Sequence, residues 1–146
     1  MKEALRLARK SLETDDIPIG AVIVKDGTII GRGWNQKEKR KDATMHGEII
    51  AIQEAVKTMN HWWLDGCTMY VTLEPCAMCA GAIVNSRLDK VVIGTRNKRF
   101  GACGSAIDIL NGPSSNYHIE VEFGLLEEES QLLLKEFFQT LRQKNN

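Results

Sequence analysis

CTMYVTLEPCAMCAGAIVNSRLDKVVIGT, residues 67–95, decides the architecture. Cys67 to Leu73 is rich in β-formers and reads as a strand. Pro75 suits the first turn of a helix, where its missing N–H costs nothing. That helix runs to about Ser86. Lys90 to Thr95, with Val91-Val92-Ile93 at its centre, is a second strand. Strand, helix and strand in so short a span form a βαβ unit. The two strands must then be parallel, with a right-handed crossover.

Working outward, Ile17 to Val24 and Thr28 to Trp34 are strands joined by Lys25-Asp26-Gly27. Asp-Gly between apolar runs favours a tight hairpin. Ala4, Leu5, Leu7, Ala8 and Leu12 recur at helical spacing, and Asp15-Asp16 with Pro18 end that helix. Residues 35–45 are polar and basic and read as a loop. From His46 to about Met59, apolar residues at 49, 50, 52, 55, 56 and 59 mark one helix face. Downstream, a glycine-rich loop spans Gly101 to Gly104, and a short helix is predicted near Ala106 to Leu110. Asn111-Gly112-Pro113 is a turn, His118 to Phe123 a last strand, and residues 125–142 a terminal amphipathic helix. A hairpin feeding βαβ crossovers predicts an α/β fold: a mixed five-stranded sheet with helices on both faces. No internal repeat or second domain is visible, so residues 1–146 read as a single domain.

The 146 residues suit one core, and 43% hydrophobic with 26% charged content is ordinary for a globular chain. Nineteen basic residues balance nineteen acidic ones. Any contact with nucleic acid must therefore come from a local patch. Met1 to Lys10 lacks the apolar core of a signal peptide, and no apolar run approaches the roughly 20 residues of a membrane span. These features predict a cytoplasmic protein with no membrane partner. In a reducing compartment the four cysteines, Cys67, Cys76, Cys79 and Cys103, are not read as disulfides.

Two clusters carry the chemistry. Cys76 and Cys79 are spaced i and i+3 at a helix start, where the positive end of the helix favours thiolates. Alone, Cys-x-x-Cys also suits a redox pair or half of a zinc ribbon. A ribbon needs a second such pair, and Cys67 and Cys103 are isolated. The second cluster, His46-Gly47-Glu48, supplies an imidazole and a spare carboxylate. One His and two Cys are three ligands, and three protein ligands with an open fourth position are the catalytic zinc pattern. A water on such a metal loses its proton near neutral pH. Glu48 is then not a ligand but a proton carrier. Positions i and i+2 point to different sides of a regular helix, so the pair works only if the first turn is irregular.

The basic runs Lys37 to Lys41 and Arg96 to Arg99 follow strands at the ligand end of the sheet, where together they can hold a polynucleotide backbone. Trp62-Trp63 and Phe137-Phe138 are able to stack bases. Core packing or a subunit interface is the simpler reading for the two tryptophans.

The segments Ile17 to Val22, Gly33-Trp34-Asn35, His46-Gly47-Glu48, Thr72 to Ala82 and Gly101 to Ser105 resemble the bacterial tRNA adenosine deaminases, of the cytidine/deoxycytidylate deaminase superfamily. The resemblance runs from about Ala4 to about Arg142. It implies a three-layer α-β-α cytidine deaminase-like fold, one zinc per chain on His46, Cys76 and Cys79, and Glu48 as proton shuttle. Asn35 and the Gly47 backbone N–H would hold the flipped adenine, and Asn97 would lie near the ribose, with Lys98 and Arg99 beside the RNA. A homodimer acting on the anticodon stem-loop of an arginine tRNA, making inosine at the wobble position, is likewise implied. The family's usual His-Ala-Glu is His46-Gly47-Glu48 here, which removes a methyl group from the pocket wall. Its Asp-Pro-Thr is Asp42-Ala43-Thr44, and its late Asn-His is Asn116-Tyr117. These departures bear on substrate preference. The rival readings are a guanine or cytosine deaminase of the same fold acting on free bases or nucleosides, and a noncatalytic zinc or RNA-binding protein, in which Glu48 has no purpose.

Overall fold

The computed structural model describes residues 1–113 and 115–145. Among them, five strands form one mixed sheet in the order β2-β1-β3-β4-β5. The strands are β1 (Gly20–Lys25), β2 (Thr28–Trp34), β3 (Thr68–Leu73), β4 (Lys90–Thr95) and β5 (Glu120–Phe123). β1 is antiparallel to both β2 and β3, while β3, β4 and β5 are parallel. The predicted hairpin turns through Asp26 and Gly27, both at positive φ. β2, β3 and β4 therefore all end at the same edge of the sheet. That edge holds the site.

Helices cover both faces. α1 (Lys2–Lys10) and α5 (Glu127–Lys144) lie on one side and touch each other; α3 (Gly47–Met59) and α4 (Ala77–Asn85) lie on the other. Strand alternation sorts the core accordingly. Ala21, Ile23, Met69, Val71, Val91 and Ile93 belong to one cluster with Ala51, Ala55, Ala80 and Ile83 of α3 and α4. A smaller cluster joins Leu5 and Ala8 of α1 to Leu133 of α5.

The joint between α3 and β2 is made of backbone. A Cβ on Gly31 would fall 2.3 Å from the Ala51 carbonyl oxygen, and one on Gly33 would fall 2.1 Å from the Gly47 carbonyl oxygen. Glycine alone permits this approach, and it fixes the first turn of α3 against the strand that delivers Asn35.

Three expectations change. Residues 35–45 are not all loop: Lys37–Arg40 form a one-turn helix, α2. Its first amides find an acceptor outside the segment, since Asp16 accepts hydrogen bonds from the N–H of Glu38 at 2.6 Å and Lys39 at 3.2 Å. The short helix expected near Ala106 to Leu110 does not form. Its amides turn back instead: the N–H of Ala106 and of Ile107 donate to the Gly101 carbonyl, and Cys103 bridges to Asp108. Trp62 and Trp63 are not core residues, being 57% and 41% exposed. They follow α3 at the end of the sheet away from the site, where Trp63 stacks on His61 and Arg87 sits over Trp62.

Candidate active site and metal centre

Two helix starts and three strand ends converge. His46 is the N-cap of α3 and has extended backbone (φ −77°, ψ 151°), while Glu48 lies in the first helical turn. The change of conformation between them resolves the i, i+2 difficulty. His46 turns towards α4, and Glu48 lies buried with 3% of its surface exposed. Cys76 is likewise the extended N-cap of α4, with Cys79 inside its first turn. Pro75 thus precedes the cap rather than opening the helix.

His46 Nδ1 lies 3.6 Å from Cys76 Sγ and 3.5 Å from Cys79 Sγ. The three donor atoms all fall within 4.8 Å of one another. An imidazole and two sulfurs, two of them at helix starts, fit a zinc ion by donor type and number. As protein groups the sulfurs share one charge. The hydrogen bond from the Cys79 thiol, reinforced by His46, holds Cys76 down to about 3. That same bond, with burial, pushes Cys79 up. The bond with Cys76 raises His46, and burial raises Glu48.

A cavity of about 800 Å³ opens over this cluster. Asn35, His46, Glu48 and Cys76 line it, as do Lys37, Arg96, Asn97, Lys98 and Arg99. Cys79 is fully buried beneath. Two buried oxygens of this lining, Asn35 Oδ1 and Glu48 Oε1, have no hydrogen-bond partner among the described residues. Unpaired buried oxygens are costly unless a ligand meets them. Gly47 is not among the lining side chains. A Cβ there would meet the Ile19 oxygen at 3.1 Å, the Trp34 Cα at 3.2 Å and the Asn35 nitrogen at 3.4 Å. Its backbone N–H is one of the first amides of α3, which have no partner within the helix.

Glu74, which no reading of the residues singles out, holds the cavity's other wall. It is 2% exposed. Its Oε1 accepts hydrogen bonds from the Asn97 N–H at 3.2 Å and the Ser105 hydroxyl. Its Oε2 accepts the N–H of Cys103 at 3.0 Å and of Ser105 at 3.1 Å. Asn97 is tied down at both ends: its side-chain oxygen accepts the Phe100 N–H at 3.1 Å. Arg96 bonds Ser105 Oγ at 3.1 Å and lies over the Phe123 ring. A lone Glu between a strand end and Pro-Cys carries no periodic signal. Only its position directly beside the ligand motif could have marked it. Ile17, Ile19, Leu73, Phe100, Leu134 and Phe138 make up the apolar part of the lining. Of the aromatic pair on α5, Phe138 reaches the cavity and Phe137 is buried.

The sequence matches the MafB19-like deaminase family over residues 1–142. It is 45% identical to a tRNA-specific adenosine deaminase of Aquifex aeolicus, covering 97% of this chain and 93% of that protein. It is 45% identical to one of Bacillus subtilis, covering 99% and 89%. A solved structure from studies of A-to-I editing by tRNA:A34 deaminases at the wobble position superposes with a TM-score of 0.88 at 39% identity, covering 92% of this chain and 97% of that one. A guanine deaminase from Nitrosomonas europaea gives a TM-score of 0.76 at 25% identity, covering 93% and 81%. The half-buried His-Cys-Cys cluster, the carboxylate beside it and the shared cytidine deaminase-like fold agree with these likenesses: the chain belongs to the MafB19-like deaminases, among the tRNA-specific adenosine deaminases.

Proposed function

We propose that residues 1–146 form one zinc-dependent deaminase domain that converts adenosine to inosine at the wobble position of a tRNA anticodon, an arginine tRNA by family resemblance. The reading rests on one observation above all. Asn35 Oδ1 and Glu48 Oε1 are buried, unpaired and in the lining of one cavity beside the His46-Cys76-Cys79 cluster. His46, Cys76 and Cys79 would hold the zinc. Bound there, zinc acts as a Lewis acid that lets water attack carbon at neutral pH.

The protein's own groups do the rest. The Asn35 side chain and the Gly47 N–H hold the edge of the flipped adenine. Glu48 takes a proton from the attacking water and passes it to the ring nitrogen, then takes the second proton from the added C6 hydroxyl and passes it to the departing amine. Water adds at C6, the C6–N bond breaks, and ammonia leaves inosine behind. Burial raises Glu48, which suits a carboxyl that must both accept and return a proton. Lys37, Arg96, Lys98 and Arg99 line the cavity and suit phosphates, and Asn97, lining it with them, takes the ribose side by family resemblance. The chain works as a homodimer, in the cytoplasm where its tRNA is found. No helix among the described residues is long and apolar enough to cross a membrane.

The test offers the zinc-loaded protein a tRNA stem-loop with wobble adenosine, and in parallel free adenosine, guanine and cytosine. Conversion of the stem-loop alone, read as adenosine-to-guanosine changes and released ammonia, is the expected result. Faster ammonia release from guanine or cytosine would overturn the tRNA assignment in favour of the free-base reading. Zinc binding without turnover on any of them would leave a noncatalytic protein.

A further inference from the structure

Phe100 is 61% exposed, more than any other large apolar side chain among the described residues. Its loop is nevertheless held firmly. The Phe100 N–H donates to Asn97 Oδ1, the Gly101 N–H donates to the Asn97 carbonyl at 2.8 Å, and the Ala102 N–H donates to the Pro75 carbonyl at 2.9 Å. Glu74 grips backbone amides on both sides of the ring. A rigid segment that keeps a phenyl ring in water forgoes the burial that the same ring would gain in the core. The ring lines the mouth of the catalytic cavity, as do Phe138 and Leu134 from α5. The Arg99 guanidinium lies 5.0 Å from its centre. Deep in the cavity, Asn35 and Glu48 provide polar partners for one base. The mouth provides aromatic surface among cations, which suits a second base and its phosphate.

We propose that Phe100 is a stacking platform for a base adjacent to the flipped adenosine, with Arg99 beside the ring for that nucleotide's phosphate. The proposal rests on the RNA reading above and adds a positioning residue to it. Stacking accepts any base through its π-face, so Phe100 aligns the strand without choosing its sequence. Charge complementarity favours a nucleotide over an apolar peptide here, because Lys37, Arg96, Lys98 and Arg99 line the same mouth.

The experiment compares wild type with Phe100→Ala, Phe100→Leu and Phe100→Trp as zinc-loaded full-length protein on the wobble-adenosine stem-loop. Phe100→Ala should lower kcat/KM about 5- to 100-fold, mainly through KM, with zinc content and thermal unfolding unchanged. Phe100→Trp should recover wild-type behaviour to within about twofold, and Phe100→Leu, apolar but without a π-face, should not. A second series removes one flanking base at a time, leaving the sugar and phosphate. One abasic substrate should lose the same factor with wild type and nothing further with Phe100→Ala. Equal kcat/KM for Phe100→Ala and wild type, equal rescue by leucine and tryptophan, or additive losses on both abasic substrates would each overturn the proposal while leaving stem-loop deamination standing. Failure of wild type to convert the intact stem-loop would overturn the RNA reading and this one together.

Discussion

The floor of the cavity around Glu48 and its wall around Glu74 both bury a carboxylate, at 3% and 2% exposure, and use it in opposite ways. Every contact of Glu74 is made: it accepts from Asn97, Cys103 and Ser105, and so ties β3 to the segment that follows β4. Glu48 keeps an oxygen with no partner among the described residues and lies beside the His46-Cys76-Cys79 cluster. A satisfied buried carboxylate organises backbone. An unsatisfied one is held at a cost for a ligand or a proton. Burial alone does not separate the structural acid from the chemical one; the count of donors does.

Removing a metal ligand should have the largest effect. Cys79→Ala should leave the purified protein with almost no zinc and no measurable inosine formation, checked by metal analysis and by sequencing the reacted stem-loop. Full zinc occupancy in that variant would remove the metal from the floor altogether. Next, Glu48→Gln should keep zinc and its unfolding midpoint while losing turnover by about 10²- to 10⁴-fold, the usual scale of general acid/base work. More than about a tenth of wild-type rate would erase the distinction between the two acids.

Glu74→Gln should show the reverse profile. The amide replaces an acceptor with a donor facing backbone N–H groups, and each buried group left unpaired costs about 1–3 kcal/mol. Denaturant unfolding should reveal a loss on that scale, with a secondary fall in kcat/KM as the 96–105 segment loosens and zinc retained. A turnover defect with unchanged stability would place Glu74 in the chemistry instead. The smallest effect is expected at the rim. Neutralising Lys98 and Arg99 to Gln should weaken stem-loop binding a few-fold and flatten its salt dependence by roughly 0.7 to 1.4 in the log–log slope. An unchanged slope would take the phosphates away from this rim.

The convergence of His46, Glu48, Cys76 and Cys79 is legible because they are sequence-local pairs at element boundaries: His46 with Glu48, and Cys76 with Cys79. The βαβ reading of residues 67–95 put the second pair at a strand end, and the basic runs were placed at the same end. What stayed hidden depends on contacts far apart in the chain. Glu74 acts on residues 97 to 105, and Asp16 caps residues 38 and 39, partners that no periodicity reveals. The missing helix near Ala106 fails for a similar reason, because its amides have better acceptors in the turn at Gly101. For Trp62 and Trp63, hydrophobicity suits core packing and a subunit interface alike, and does not report that both rings stand exposed.

The glycine joint between α3 and β2 bears on how this centre tolerates change over time. Side-chain contacts can be exchanged for others of similar volume, so most cores drift in composition while the backbone stays in place. Where main chain rests on main chain there is nothing to exchange. Substitutions farther along α3, at Ile52 or Val56, can be absorbed by neighbouring side chains. A single methyl on residue 33 would lie 2.1 Å from the Gly47 oxygen, far inside ordinary contact at 3.4 Å. The helix would have to lift at its first turn, carrying His46 away from the two sulfurs on α4. The strand thus acts as a gauge for the spacing between His46 and the two sulfurs, set at its two bare positions, Gly31 and Gly33.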